Sequence, residues 1–573
     1  MERWDIKINE YTLLLRNEID EYVKECIGGN IPRVPFSGFL KFIEEGERFE
    51  SETAYFERRK QLVSICLYLQ YHEKKEEDYP KTLLYFEELL WEIVNEVSWC
   101  VIAHLPQDKN GFTLDPCTQI DLFAAETGAA LAEVVSLHGE IIHPFLRSHI
   151  ERSIDKRIFK PFLATDWWWE TVNSNWCSVC CGSIGMAALL MTEGDIRDAL
   201  LNKVEHGLVN YLECFGSDGA CEEGIGYWVY GFGYYIYYIA MRKELDSAYK
   251  RTEEVAEKIK TIAGFPSIVQ MDEKAYVPFS DVSAGAMVPT GLLSYLHEEY
   301  GVNTPVITRV TPLDFDNGYR FAHISRNLWW TNGQIFHKSL NKETVYLNNK
   351  QWLIQRSEGR FFAIKGGNNE EQHNHNDVGS FVISVEGEQF ITDFGAGPYT
   401  ADYFSDKRYE FVQTRSRYHN LPLMKGMEQV STKEECRIID VREEQDSASI
   451  SMELALLYAL PELISFNRSV HTNMTQGIII LEDIITAKEK ITIEEGFISY
   501  FLPDFRSDGT IQFGGRFGNL ILTYDKNLFQ HAIEKVLFQN HHGEPVTAYR
   551  LGLSQKYPKK QSIISLCFQY VRN

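Results

Sequence analysis

No stretch of this chain is apolar for long enough to cross a bilayer, which argues against a membrane-spanning helix. The opening residues, Met1-Glu2-Arg3-Trp4-Asp5-Ile6-Lys7, lack the apolar core of a secretory signal. The expectation is a soluble, cytoplasmic protein, or an exported one whose signal has been removed. Positive charge is scarce as well: 57 Lys and Arg stand against 81 Asp and Glu, a net charge of -24. That balance argues against nonspecific binding to nucleic acid or to anionic membranes. A disulfide framework is also missing, because the eleven cysteines are odd in number and scattered, as suits reduced thiols. Cys177 and Cys180 have a Cys-x-x-Cys spacing, but no second pair follows at metal-site distance, so they read as core thiols. There is no strict internal repeat.

What is present is length and apolar bulk. With 573 residues, 44% of them hydrophobic and 13% aromatic, the chain exceeds one core and predicts two or three domains. The first half reads helical, with apolar residues at three- and four-residue spacing over 83–100, 119–137, 182–191, 196–214 and 253–262. Pro106, Pro116, Pro144 and Pro161 fall between such segments, where helices stop. Successive helices without strands predict a solenoid or toroid over residues 1–305. From about Val306 short β-rich runs take over, with no convincing helix between them, and predict an antiparallel sandwich over 306–573.

The most unusual stretch is Gln372-His373-Asn374-His375-Asn376-Asp377, which leads into a strand–turn–strand pattern ending at Phe390-Ile391-Thr392-Asp393. With Glu386-Gly387 as the loop, Val385 faces Glu388 and Asp393 stands opposite Ser380. In an extended segment His373 and His375 point to one side. Such a cluster suits a metal, with one imidazole left for proton transfer; the alternative is a polar turn with local hydrogen bonds. Arg356, Arg360, Lys365, Arg415 and Arg417 flank it and offer a local basic patch for a polyanion. Three further stretches stand out. Asn173 to Cys177 follows the aromatic Trp167-Trp168-Trp169, its asparagines either cleft donors or helix caps. Glu222 to Gly231 sets glycines around Tyr227 and Tyr230, which packing alone also explains. Arg415 to Pro422 adds His419, a candidate partner for His375 and Asp393.

Taken in order, these stretches resemble the heparinase II/III-like polysaccharide lyases. The resemblance rests on Asp121 to Gly128, Asn175, Glu223 to Tyr227, His373 to Asp377, Phe390 to Gly395 and His419-Asn420. It implies an α/α toroid, an incomplete helical barrel, followed by an antiparallel β-sandwich. It also implies β-elimination on a uronic-acid glycan of glycosaminoglycan type, an acidic polysaccharide or oligosaccharide partner. By motif, Asn175 polarises the substrate carboxylate, Tyr227 protonates the leaving oxygen, and His373 is the base for one epimer or a second carboxylate contact. Trp176, Glu223, Tyr230, Arg356 and Arg417 become substrate contacts, with Tyr230 the fallback for Tyr227. His375, Asp393 and His419 match positions that hold a structural zinc in some members; no organic cofactor is implied. Several members carry a histidine directly after the asparagine, where this chain has Trp176. Uronyl C5-epimerisation and non-catalytic carbohydrate binding on the same fold are the competing readings.

Overall fold

A computed structural model describes residues 6, 9–108, 110–336 and 339–573. It divides into two compact units, one formed by Met1–Phe215, Tyr227–Lys260 and Met287–His337, the other by Gly216–Gly226, Thr261–Ala286 and Lys338–Asn573. Two segments of the first half, 216–226 and 261–286, thus belong to the strand-rich unit.

The first unit is helical, and its packing explains its small residues. Helix Asn175–Met191 is buried on nearly every side. A methyl group on Gly182 would lie 2.9 Å from the Tyr234 carbonyl oxygen, and one on Gly185 only 2.5 Å from the Tyr238 ring. The run Gly182 to Ala188 therefore lets helix Gly233–Leu245 lie close against it. Cys177, Cys180 and Cys181 are buried thiols of the same helix, and every cysteine is unbridged. Among the described residues, no helix is long and apolar enough to cross a membrane.

One helix runs against expectation. Residues Phe321–Trp330 lie in the region expected to be β-rich, yet they form a helix. Nine of its ten residues, Phe321 to Trp329, are buried, the polar His323, Ser325, Arg326 and Asn327 among them. Its Arg326 pairs with Glu133 at 2.6 Å, both side chains 1% exposed, which fixes the helix in the interior.

The second unit contains antiparallel sheets of eight, four and five strands. Side chains of all three, among them Phe381, Phe497 and Phe568, share one apolar core. The expected hairpin is present as strands Phe381–Val385 and Glu388–Ile391. Glu386 and Gly387 have φ of 50° and 78°, the paired positive values that a tight two-residue hairpin turn requires. Val385 does face Glu388, but a bulge follows, so that Ile383 faces Ile391. Asp393 consequently does not stand opposite Ser380. The chain has already left the hairpin at Thr392, whose N–H donates to the Ile498 carbonyl at 3.0 Å.

Arg468, fully buried, ties these layers together. Its guanidinium pairs with Asp483 at 2.6 Å and Glu495 at 3.2 Å. It also donates to the carbonyls of Gly379 at 2.9 Å and Asn420 at 2.8 Å.

Candidate active site

In the helical unit Ser174 occupies the cap position of its helix and Asn175 is the first helical residue, 3% exposed, so capping is not its role. Tyr227 ends the short helix Ile225–Tyr227 and leads into a π-turn, Trp228–Phe232, a distortion frequent at functional sites. Ser178 Oγ donates to the Gly231 carbonyl of that turn at 2.7 Å. A methyl group on Gly231 would lie 3.2 Å from the Asn175 Cα and 2.6 Å from Tyr211 Oη. Glycine at this position is what lets the turn following Tyr227 touch the start of the Asn175 helix.

Tyr227 is half-buried, whereas Tyr230 is buried with the Arg320 guanidinium 3.9 Å from its ring centroid. Burial pushes the Tyr230 phenol well above its usual range, which keeps it protonated. Arg320 also pairs with Asp316 and lies 3.2 Å from Glu126 Oε1. Burial raises the Glu126 carboxyl to about 7, against the pull of Arg320. A carboxyl raised on folding stabilises below its unfolded value of 4.5 and loses that contribution as pH rises through about 7. The shift is worth about 3 kcal/mol at ~1.4 kcal/mol per pH unit. Denaturant unfolding of Glu126→Gln between pH 4.5 and 8 should lack that decline, while the wild-type chain shows it.

Trp176 is half-buried and its ring contacts Trp168 and His104, each at 4.9 Å between centroids. An imidazole brought from another segment thus stands beside Trp176. His104 Nδ1 is 2.8 Å from Asp121 Oδ2, and Asp121 also caps helix Leu122–His138 through the Ala124 N–H at 2.7 Å. Nothing in the sequence around His104 signals this, because the contact spans more than seventy residues.

In the strand-rich unit His373 lies in a turn with φ of 55°, not in an extended segment, yet it and His375 do reach one group. That group is Asp281, fully buried. Its Oδ2 is 2.9 Å from His373 Nδ1 and its Oδ1 is 3.1 Å from His375 Nε2. Oδ1 also accepts from Tyr403 Oη at 2.6 Å, and Oδ2 from Arg408 Nη2 at 2.9 Å. Burial opposes its charge, but these donors hold the carboxyl well below the usual range. On its other side His373 Nε2 is 3.7 Å from Glu223 Oε2.

His375, Asp377, Asp393 and His419 converge, with one donor atom from each lying within 4.8 Å of the others, all four buried. His419 Nε2 is 2.9 Å from the Gln413 carbonyl, which only accepts, so that nitrogen carries a hydrogen. The lone pair of a neutral ring then faces Asp393 Oδ2 at 2.9 Å, and a proton or cation must bridge the two. His375 Nδ1 and Asp377 Oδ2 are buried and unpartnered among the described residues. Two imidazoles and two carboxylates with open lone pairs fit a tetrahedral zinc better than calcium or magnesium. Asp377 belongs to the stretch expected to suit a metal, though not to the ligand set that the resemblance implies. Its other oxygen accepts from the buried Lys365 at 2.8 Å.

Two of the five residues expected to form a basic patch turn inward. Lys365 is interior, and Arg356 spends its donors on the carbonyls of Gln270, Ser267 and Asn341 and on Glu343. Arg417 is one-third exposed and pairs with Glu534 at 2.8 Å, while Arg415 pairs with Glu428. Buried Arg356 is a brace for the fold.

Residues 356–547 match the family model described as heparinase II/III-like, C-terminal. Among solved structures the chain is similar to heparinase III, at 12% identity and a TM-score of 0.68, over 100% of this chain and 87% of that one. Heparan sulfate lyase HepC from Pedobacter heparinus gives 14% and 0.63, over 99% and 84%. Chondroitin AC lyase from Streptomyces coelicolor A3, in complex with chondroitin sulphate, gives 10% and 0.56, over 99% and 82%. No curated protein matches the sequence. The resemblance to the heparinase II/III-like proteins holds, and the fold is an α/α toroid followed by antiparallel β-sandwich layers.

Proposed function

We propose that this protein is a polysaccharide or oligosaccharide lyase that cleaves uronic-acid-containing, glycosaminoglycan-like glycans by β-elimination. The observation that carries the reading is the contact between the start of the Asn175 helix and the turn following Tyr227, an amide and a phenol on adjoining elements of the helical unit. The likeness to lyases of acidic polysaccharides supports it.

The C5 proton of a uronate is weakly acidic because the adjacent carboxylate can take up the developing charge. In this reading the Asn175 amide donates to that carboxylate and stabilises the charge as it builds. A base removes the C5 proton, the freed electron pair becomes the C4–C5 double bond, and the C4–O4 bond breaks. The Tyr227 hydroxyl gives its proton to O4 as the sugar leaves, and on one epimer also acts as base. His373 is the base for the other epimer, or a second donor to the carboxylate. His375, Asp393 and His419, with Asp377 as fourth ligand, would hold a zinc ion, whose charge would neutralise the buried carboxylates beside the turn that carries His373.

Ultraviolet absorbance of the unsaturated uronate, followed on heparan sulfate, chondroitin sulfate, hyaluronan, alginate and their oligosaccharides, tests the proposal. A rise on one glycan names the substrate; no rise on any of them overturns the reading. Trp176 and Trp168, the latter 59% exposed, form the aromatic surface next to Asn175 and suit stacking on a sugar ring. Trp176→Ala should raise KM about 10-fold, with a smaller change in kcat, in the same assay.

A further inference from the structure

Asp281 is a fully buried carboxylate from a segment that no motif marks, and it joins the histidine proposed as base to the histidine proposed as metal ligand. Each of its oxygens accepts two hydrogen bonds: Oδ2 from His373 and Arg408, Oδ1 from His375 and Tyr403. Arg408 and Tyr403 are obligate donors in this arrangement, because a guanidinium has no acceptor and a tyrosine so buried beside a carboxylate keeps its proton. A carboxylate already ionised can only accept. Both imidazoles must therefore present an N–H to it, His373 through Nδ1 and His375 through Nε2.

We infer that Asp281 is the positioning residue of this site: one carboxylate sets the tautomers of two histidines at once. In a neutral His373 the lone pair is then confined to Nε2, the nitrogen directed away from Asp281 and toward Glu223. In His375 the lone pair is confined to Nδ1, the nitrogen that has no partner among the described residues and belongs to the four-residue donor cluster. Base and metal ligand are thus prepared by the same group, and neither can change tautomer without breaking a buried hydrogen bond. The ring of His373 is further confined by Tyr399 and Phe404, whose centroids lie 6.4 and 6.3 Å from its own. The inference rests on the proposed roles of His373 and His375 for its consequence in catalysis, but the tautomers follow from the hydrogen bonds alone.

Asp281→Asn retains the shape and replaces one acceptor oxygen with a donor. If the amide oxygen stays with His375 and Tyr403, its NH2 confronts the Nδ1–H of His373 and the guanidinium of Arg408. His373 then has to move its hydrogen to Nε2 to accept from the amide, and it ceases to be a base toward substrate. Two measurements on the full-length protein test this. Long-range proton–nitrogen spectra of histidine-labelled protein at alkaline pH, with the His373 signal identified by its loss in His373→Ala, should show Nδ1–H in the wild type and Nε2–H in Asp281→Asn. On the glycan that is turned over, kcat of Asp281→Asn should fall about 10²–10⁴-fold, the range of a general base. KM should stay within about 2-fold, with zinc content unchanged by metal analysis.

An Nε2–H signal for His373 in the wild type would overturn the inference, as would a variant with unchanged kcat. So would loss of zinc, melting temperature and activity in step, which would mark a merely structural carboxylate. Should Asp281→Asn fail to fold, the wild-type spectrum still decides. Nδ1–H in a protein that forms no unsaturated product would leave Asp281 as assigned and remove the lyase reading instead.

Discussion

Tyr227→Phe should reduce formation of unsaturated uronate about 10³–10⁴-fold in kcat while KM moves little. The variant keeps the ring and removes only the hydroxyl, so the loss reads the proton given to O4, a transition-state contribution of about 4–5 kcal/mol at ~1.4 kcal/mol per tenfold. The nearby Tyr230 cannot stand in for it. Its phenol is buried, has the Arg320 guanidinium over its ring, and is pushed well above the ordinary tyrosine range. Tyr230→Phe should therefore retain most of the activity. Progress curves of ultraviolet absorbance, at saturating and limiting glycan, separate the two parameters. A deep loss in Tyr230→Phe with near-normal Tyr227→Phe would exchange their roles and displace the proposed alignment.

Removing the metal should be the largest single effect on stability. Protein purified without chelator should carry about one zinc per chain by metal analysis, and extended chelation should lower the melting temperature by about 10 °C. That figure follows from about 4 kcal/mol of binding free energy at a thousandfold excess over Kd, spread over a unit of this size. His419→Ala should abolish zinc binding, leaving Asp393 as a buried carboxylate without its counter-charge and Asp377 with Lys365 alone. Protein that contains no metal and melts unchanged in chelator would mean that a proton, and not a cation, bridges His419 and Asp393.

The division of the chain into helices followed by strands was legible because long stretches obey one period or the other. Helix Phe321–Trp330 was not, since at ten residues it is a short periodic segment standing where strand-like runs begin. The same asymmetry governs the site. His373, His375, Asp393 and His419 stand in compact motifs of unusual composition, and the structure brings His375, Asp393 and His419 within one cluster. Asp281 stands in an unremarkable loop and His104 at the end of the short 3-10 helix Ile102–His104. What makes them interesting is a partner nearly a hundred or more than seventy residues away, and a single sequence holds no record of such pairs. Arg356 shows the converse: next to the histidine motif in sequence, it turns inward to backbone carbonyls. Proximity along a strand says nothing of which face a side chain takes until the register is known.

The buried Arg468 has a consequence beyond holding sheets together. By grasping the carbonyls of Gly379 and Asn420 it fastens the two segments that end at Asp377 and begin at His419 to the sandwich interior. Loops that carry chemistry are commonly the softest parts of a fold and the readiest to vary. Here they share the rigidity of the core, so a change of length or composition in them disturbs the whole unit. On the proposed function, adaptation to a different glycan is accordingly easier on the aromatic surface around Trp168 and Trp176, where side chains can be exchanged while the frame stays in place.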